Sequence, residues 1–332
     1  MSTLTDNQIS HDPRYPTLLR RGHRYEFCLG QRVPVGGFYG PLDVSIGDDG
    51  WFYVLNRWEQ FQNVPRNRYV PVTIDDEYGE FIFPTIDGKP EIQGKEKFPS
   101  PVMCTIDNEG VLYSTDEHAN VVLMLSTSGE TIGWWGEFGS QEGQLNGPSG
   151  ITLDSDQNLW VVNCNNHKIQ KFTRDGQFID SWGDFGTELN QLNHPWGITI
   201  DPIDNSLLIA DWRNDLVKRF STEGDLLQVI GSPGNGIGEL DRPSSVAVDQ
   251  HGDIYIVDRG NNRVLIFNHR GMFLESLIGD GTVTDKGVQK LLANPDALRL
   301  RDNVVNFDRE KRFAAPTSVK VDFQGRVFVV DT

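Results

Sequence analysis

Histidine is the side chain whose chemistry is most suggestive in this sequence, because a neutral imidazole can bind a transition metal or move a proton near neutral pH. Three of the seven histidines, His118, His167 and His194, interrupt an otherwise regular pattern of Asp and Asn residues. Three neutral imidazoles around one open coordination position are typical of a catalytic zinc site. Single histidines in loops more often form hydrogen bonds or face solvent. The sequence leaves both interpretations open, and the elements that position these residues must decide between them.

An internal repeat supplies those elements. Six segments open with a proline, and in five of them an Asp follows six positions later. A second Asp or Asn lies nine or ten residues beyond that position, and successive segments in the middle of the chain are 47 or 48 residues apart. The prolines are Pro41, Pro101, Pro148, Pro195, Pro243 and Pro316; the first positions are Gly47, Asp107, Asp154, Asp201, Asp249 and Asp322; the second positions are Asn56, Asp116, Asn163, Asp211, Asp258 and Asp331.

Each repeat contains the pattern of four short strands. Apolar residues alternate before the first Asp, as at Val246 and Val248, and a continuous apolar run such as 159–162 precedes the second polar position. These patterns are typical of one half-buried and one fully buried strand. Two further runs follow, for example at 168–172 and 178–182. Four short strands at this period predict an all-β fold, a six-bladed β-propeller with four-stranded antiparallel blades.

The segments "RPSSVAVDQHGDIYIVDRGNNRVLIFNHRG" and "GPSGITLDSDQNLWVVNCNNHKIQKFTRDG" resemble the NHL repeat, and the resemblance covers nearly the whole chain. It implies a six-bladed propeller but no single function, because NHL propellers include enzymes, RNA binders, interaction modules and sensor domains. The best-known NHL enzyme, the peptidyl-hydroxyglycine amidating lyase, has a signature with His directly after a blade-opening proline. That activity is disfavoured here, because the residues after the prolines are Leu42, Val102, Ser149, Trp196, Ser244 and Thr317.

The spacing also predicts how the ring of blades closes. The chain ends on a second strand at 327–331, whereas residues 22–30 match the fourth strand of a blade. We therefore expect N-terminal and C-terminal strands to pair in one blade, which would remove open sheet edges. The alternative is a truncated piece of a longer protein. The predicted organisation is an N-terminal segment at 1–21, which would supply one strand of the closing blade, and a single propeller at 22–332 with insertions at about 57–99 and 280–312.

Composition narrows the possible partners and location. The formal net charge of −17 opposes the basic surface that phosphate binding requires, so nucleic acid is not expected as a partner. No apolar run reaches the length of a membrane span, and the first residues lack the pattern of an export signal. Three widely spaced cysteines, Cys28, Cys104 and Cys164, do not form a disulfide framework. A cytoplasmic protein with no membrane partner is the expectation.

One face of the propeller, here called the top, carries the turns after the second and fourth strands of each blade; the opposite face is the bottom. Both long insertions would open on the top. Distant residues in the top turns would converge around the propeller axis, where a shared pocket can form. The candidate ligand-binding residues are Asn56, Arg57, Trp58, Asp116, His118, Asn163, His167, His194, Trp196, Asp211, Trp212, Arg213, Asp258 and Arg259.

Two interpretations of the recurrent Asp and Asn residues remain. A residue present in every repeat more often caps its own turn than binds a ligand. Alternatively, six-bladed lactonases and strictosidine-synthase-like propellers hold calcium at the axis through Glu, Asn and Asp, and a similar set here would be Asn56, Asp116, Asn163, Asp211 and Asp258.

The favoured function is binding of a small molecule, peptide or protein partner on the top face, beneath the insertions. The alternative is a metal-assisted lyase or hydrolase acting on a small molecule, with calcium or zinc at the axis.

Overall fold

The computed structural model describes residues 23, 25–26, 28–29, 38, 40–57, 67–74, 77, 79, 82, 100–279, 292–294, 299 and 311–332. The predicted insertions at 57–99 and 280–312 lie mostly outside these residues, as does Trp58. Within the described ranges, no helix is both long and apolar enough to cross a membrane.

The strands form antiparallel sheets in which neighbours in sequence are neighbours in space. Blade 1 contains β1 (Pro41–Ile46), β2 (Phe52–Asn56) and β3 (Arg68–Val72); blade 2 contains β4 (Pro101–Ile106), β5 (Val111–Asp116), β6 (Val121–Ser126) and β7 (Thr131–Trp135); blade 3 contains β8 (Pro148–Leu153), β9 (Leu159–Asn163), β10 (Lys168–Phe172) and β11 (Phe178–Trp182). Blade 4 contains β12 (Pro195–Ile200), β13 (Leu207–Asp211), β14 (Leu216–Phe220) and β15 (Leu226–Ile230). A short parallel pair follows, formed by β16 (Ser232–Pro233) and β17 (Glu239–Leu240). Blade 5 contains β18 (Pro243–Val248), β19 (Ile254–Asp258), β20 (Arg263–Phe267) and β21 (Phe273–Leu277).

The chain is a β-propeller with four-stranded antiparallel blades, as predicted. Five blades are defined, where six were predicted. Blade 1 has three described strands, and Ile82 forms an isolated bridge to Tyr69 on its outer side. The last two strands, β22 (Pro316–Val321) and β23 (Val327–Asp331), form a separate two-stranded sheet, here called the C-terminal sheet.

The burial of each strand follows from its position within the blade. The second strands are continuous apolar runs because both faces of the strand pack against neighbouring blades, and every residue of β9, β13 and β19 is buried. The fourth strands are only partly buried, as in β11. The hydrophobic clusters span adjacent blades: Val102 and Tyr113 of blade 2 pack with Ile151 and Phe172 of blade 3. The core therefore lies between the blades, and the first strands line the centre.

The first Asp of each repeat stabilises a bottom turn. Asp107 Oδ1 accepts hydrogen bonds from the backbone N–H groups of Glu109 (2.9 Å) and Val111 (2.8 Å). Blade 1 has Gly47 at this position, and its turn is instead stabilised by Asp49, whose Oδ1 accepts from the Trp51 N–H (3.0 Å). The structural interpretation of these carboxylates therefore agrees with the observed hydrogen bonds. The same turn geometry occurs at Asp154, Asp201, Asp249 and Asp322.

Adjacent first strands approach closely around the centre. A side chain at Gly150 would place its Cβ 2.6 Å from the carbonyl oxygen of Trp196, so only glycine fits there. Each of β1, β4, β8, β12 and β18 contacts the next first strand in sequence, and β22 contacts both β18 and β1. The contact of β22 with β1 includes a hydrogen bond from Thr317 Oγ1 to the Leu42 carbonyl (2.8 Å). The C-terminal sheet thus lies against blade 1.

Candidate functional site

In blades 2 to 5 the second polar residue of the repeat is a buried cap for the segment that opens its own blade, and Asp331 of the C-terminal sheet, which is partly buried, makes the same contact. Asp116 accepts hydrogen bonds from the backbone N–H groups of Ser100 (2.8 Å) and Ala119 (2.8 Å). Burial raises the pKa of Asp116, and these backbone donors oppose the rise. The capping interpretation therefore accounts for these side chains without a ligand. Equivalent bonds join Asn163 to the Asn146 N–H, Asp211 to the Asn193 N–H, Asp258 to the Asp241 N–H and Asp331 to the Ala315 N–H.

His167 and His194 form a junction between blades 3 and 4. The His194 N–H donates to His167 Nδ1 (3.1 Å), and the two rings are 4.6 Å apart in an edge-on arrangement. The preceding junction has the same bond with other residues, since the Gly147 N–H donates to the Asn120 side chain (2.8 Å). The two histidines therefore occupy repeated structural positions rather than interrupting the repeat. The next junction joins the Arg242 N–H to Asp215 Oδ1 at 2.7 Å.

Members of both predicted metal-ligand sets have hydrogen-bond partners within the protein, and the two sets stay predictions. Among the described residues, no three or more His, Cys, Asp or Glu side chains are grouped closely enough to hold a metal ion. Of the predicted zinc set, His167 and His194 are paired at a blade junction, and His118 lies in the turn that follows β5. Of the predicted calcium set, Asp116, Asn163, Asp211 and Asp258 each cap the opening segment of their own blade, and Asn56 Nδ2 donates to the Val54 carbonyl (2.9 Å).

The histidine junction leads to a prediction about pH and stability. Burial lowers the pKa values of His167 and His194 below 6.5, and the neighbouring Arg213 charge lowers both further. Below pH 6.5 the unfolded chain therefore binds protons that the folded chain does not, so stability falls as the pH decreases toward the folded pKa values. The double variant His167→Asn/His194→Gly reproduces the Asn120–Gly147 junction. We expect thermal melts to show a smaller loss of stability between about pH 7 and about pH 5 than in the natural protein.

The control for this prediction is His118→Asn, which removes an exposed histidine outside the junction. It should retain the pH dependence of the natural protein. An unchanged pH dependence in the double variant would show that the junction histidines do not couple protonation to folding.

A repeated backbone contact positions the residues that follow the second strands. In blade 2, the Glu117 N–H donates to the Ser100 carbonyl (3.0 Å), which holds the start of the top turn against the segment that opens the blade. We call a residue with this contact a rim residue. The rim residues of blades 1 to 5 are Arg57 (2.9 Å), Glu117 (3.0 Å), Asn165 (3.1 Å), Arg213 (3.1 Å) and Gly260 (2.9 Å). Unlike the capping residues, they differ in chemical type from blade to blade.

Three of these rim residues line a cavity of about 370 Å³ on the top face. Its walls come from blades 1 to 4. Arg57 Nη1 donates to Glu117 Oε1 (2.7 Å) and Arg57 Nη2 donates to Ser100 Oγ (3.2 Å), so one wall carries a fixed ion pair. The full lining is Arg57, Ser100, Glu117, His118, Gly147, Cys164, Asn165 and Trp196.

Cys164 contributes a neutral thiol to this cavity. The residue is buried, and burial together with the Glu117 charge raises the pKa of its thiol to about 12, while Arg213 acts in the opposite direction. The thiol is therefore protonated near neutral pH and is a poor nucleophile. The spacing of the three cysteines along the chain gives no sign that Cys164 lies at a cavity.

The predicted top-face residues divide into two groups. Arg57, His118 and Trp196 line the cavity, and Trp196 packs on Trp212 with ring centroids 5.6 Å apart. Arg213 and Arg259 are exposed in the corresponding turns of blades 4 and 5. The buried caps and the junction histidines have structural partners instead. The lining residues absent from the predicted set are Ser100, Glu117, Gly147, Cys164 and Asn165; their positions next to the second polar residue or the opening proline are the signal that could have identified them.

Comparison with known proteins agrees with this architecture. The NHL repeat family matches residues 145–172 and 240–267, which cover the inner three strands of blades 3 and 5. The chain is a β-propeller that contains NHL repeats. No curated protein sequence matches this propeller.

Solved structures share the propeller fold over most of the chain. A streptogramin B lyase is 18% identical, with a TM-score of 0.54 over 91% of this chain and 93% of that one. Virginiamycin B lyase from Staphylococcus aureus is 16% identical, with a TM-score of 0.52 over 88% and 84%. A nidogen/laminin complex includes a chain that is 15% identical, with a TM-score of 0.51 over 71% and 79%. At these identities the comparison establishes the fold.

Proposed function

We propose that this NHL propeller binds a small molecule in the top-face cavity. The observation that carries the proposal is a cavity of about 370 Å³ whose walls are contributed by four consecutive blades at chemically variable positions. This volume is within the range of small-molecule sites. The capping bonds and blade junctions hold the surrounding backbone, so variable side chains can change without altering the scaffold. A rigid backbone scaffold whose cavity-lining side chains can vary is suited to selective binding.

The composition of the lining limits the size and chemistry of the ligand. Arg57, Glu117, His118 and Asn165 supply polar groups, whereas Trp196 supplies an aromatic surface. A polar compound with one planar part fits this combination better than an extended apolar chain. A peptide or protein partner would have to place a single side chain or terminus in the cavity, since the space accommodates only a small group.

We further propose that the propeller has six blades and that the C-terminal sheet is the inner half of the sixth. The contacts of β22 with β18 on one side and β1 on the other support this arrangement. Phe328 of the C-terminal sheet packs on Phe52 of blade 1 (4.8 Å), and Leu29 packs in the cluster that contains Val330. Residues near the N-terminus would complete the outer half, within a single propeller spanning 22–332. The top-face cavity would then open beside the axis of a closed ring.

Filling the cavity tests the proposed function. Asn165 is exposed and lines the cavity, so Asn165→Trp would occupy much of its volume. The matched control is Asn108→Trp, which adds the same side chain at an exposed position in a bottom turn. We expect ligand-observed NMR with a library of polar aromatic fragments to identify compounds that bind the natural protein and Asn108→Trp.

The same compounds should lose at least about tenfold in affinity for Asn165→Trp, which corresponds to roughly 1.4 kcal/mol or more of binding free energy. Equal binding to Asn165→Trp and to the natural protein would contradict a site in this cavity. Thermal melts of both variants would establish that each protein remains folded during the measurement.

A further inference from the structure

Arg213 is the rim residue of blade 4 and follows, in the series of blades, the three rim residues that line the cavity; it is not itself a lining residue. Its N–H donates to the Asn193 carbonyl (3.1 Å), which is the contact that also positions Arg57, Glu117 and Asn165. These three line the cavity, and Trp196 of blade 4, the blade of Arg213, closes the same wall. The repeated geometry therefore directs the Arg213 turn toward the same central region.

The charge of Arg213 shifts the pKa values of groups at and beside the cavity, as expected if its turn lies near the cavity. Its charge acts on the thiol of Cys164, a lining residue, and on the imidazoles of His167 and His194 at the adjacent junction. In each histidine burial is the largest effect, and the nearby cation adds to it. Arg213 thus lies within electrostatic reach of the cavity.

The guanidinium of Arg213 differs from that of Arg57 in having no fixed counterion. Arg57 is paired with Glu117 at 2.7 Å, so these two charges compensate each other. Arg213 is exposed, and its guanidinium forms no ion pair or side-chain hydrogen bond with any residue in the described ranges. Of these two arginines, Arg213 is therefore the one with an uncompensated positive charge beside the cavity. This positive charge is opposite in sign to the formal net charge of the chain, which is −17.

The chemistry of these groups points to one class of ligand. A planar guanidinium binds carboxylate or phosphate through paired, charge-assisted hydrogen bonds. The indole of Trp196 offers an aromatic surface in the same space. We propose that the cavity binds an aromatic organic anion, with its carboxylate or phosphate group on Arg213 and its ring against Trp196. The inference rests on the proposed binding function and names the ligand class for the same cavity.

Four probes of similar size separate charge from shape: benzoate, phenyl phosphate, benzamide and benzylamine. We expect ligand-observed NMR to detect benzoate or phenyl phosphate binding at least about tenfold more tightly than neutral benzamide, and benzylamine binding no better than benzamide. The relative affinities of benzoate and phenyl phosphate distinguish a carboxylate from a phosphate ligand. Asn165→Trp should abolish anion binding, which locates the probe in the cavity.

The decisive variant is Arg213→Gln, with Arg270→Gln as its matched control. Arg270 is an exposed arginine in a bottom turn, so its replacement changes the net charge equally but away from the cavity. Arg213→Gln should weaken binding of the anionic probe at least about tenfold, whereas Arg270→Gln should leave it within about twofold.

The outcomes separate this inference from the binding function. If benzamide or benzylamine binds as tightly as benzoate, and only Asn165→Trp removes that binding, the ligand class is wrong while the cavity remains a binding site. Anion binding that survives Arg213→Gln or Asn165→Trp also overturns the inference. If none of the four probes binds the natural protein, the inference is wrong, and the fragment library alone then decides whether the cavity binds ligands.

Discussion

Lys218→Gln is expected to destabilise the protein by about 3–5 kcal/mol, because it leaves a buried carboxylate without its cation. Lys218 and Asp211 are fully buried in blade 4, with Nζ 2.7 Å from Oδ2. Lys218 Nζ also donates to the Gln191 carbonyl (2.5 Å). Burial already raises the pKa of Asp211 even though Lys218 opposes this rise. The measurement is the free energy of unfolding from urea titration near pH 7.

The adjacent blade provides the control for this prediction. In blade 3 the two equivalent positions hold a neutral pair, Asn163 and Gln170, with Nδ2 donating to Oε1 at 3.4 Å. The double variant Asp211→Asn/Lys218→Gln copies this pair into blade 4. It should recover most of the stability lost in Lys218→Gln, since no isolated charge remains buried. A double variant as unstable as the single one would mean that the loss arises from packing rather than charge.

Asp43→Ala is expected to cost about 2–4 kcal/mol, because this fully buried carboxylate joins β1 to both of its neighbours. Asp43 Oδ2 accepts from the Cys104 N–H (2.9 Å) of blade 2 and lies 3.6 Å from Lys320 Nζ of the C-terminal sheet. Asp43 Oδ1 accepts from the Ser318 hydroxyl on β22. Removing the carboxylate leaves a buried N–H without an acceptor and weakens the contact between the first blade and the last sheet.

The comparison variant is Asp49→Ala, which removes an exposed turn carboxylate from the same blade. Its loss should be about 1 kcal/mol, the typical contribution of a turn hydrogen bond. Asp43→Asn retains an acceptor and should fall between the two. An Asp43→Ala protein as stable in urea as Asp49→Ala would contradict the role assigned to Asp43 at this junction.

The sequence predicted the blades because strand formation here depends on local patterns. Proline begins each first strand, a continuous apolar run forms each second strand, and a turn residue separates them. These features recur with little variation, so the amino-acid pattern alone is enough to infer the antiparallel blade. The capping role of Asp116 and its equivalents could be predicted for the same reason. Asp49 shows the limit of such patterns, because it stabilises the first bottom turn from a position two residues away from the repeat consensus.

The candidate site was less accessible to sequence reasoning because it depends on contacts between blades. His167 and His194 are 27 residues apart, and only the fold shows that they reproduce the bond between Asn120 and Gly147. Glu117 and Cys164 become relevant for a similar reason: adjacent blades place them in one cavity with Trp196. A repeat identifies equivalent positions along the chain, but the spatial overlap of different blades determines which variable residues face a common space.

Soaking crystals of the full chain with polar aromatic fragments, including benzoate, tests whether the top-face cavity is a ligand-binding site. We expect fragment density within the cavity, in contact with Trp196 and bounded by Arg57 and His118, in crystals where packing leaves the top face open. The same soak of Asn165→Trp crystals should show no fragment there. A cavity closed by side chains in the natural protein, or fragments bound only at other surfaces, would contradict the assignment of the top face as the ligand-binding site.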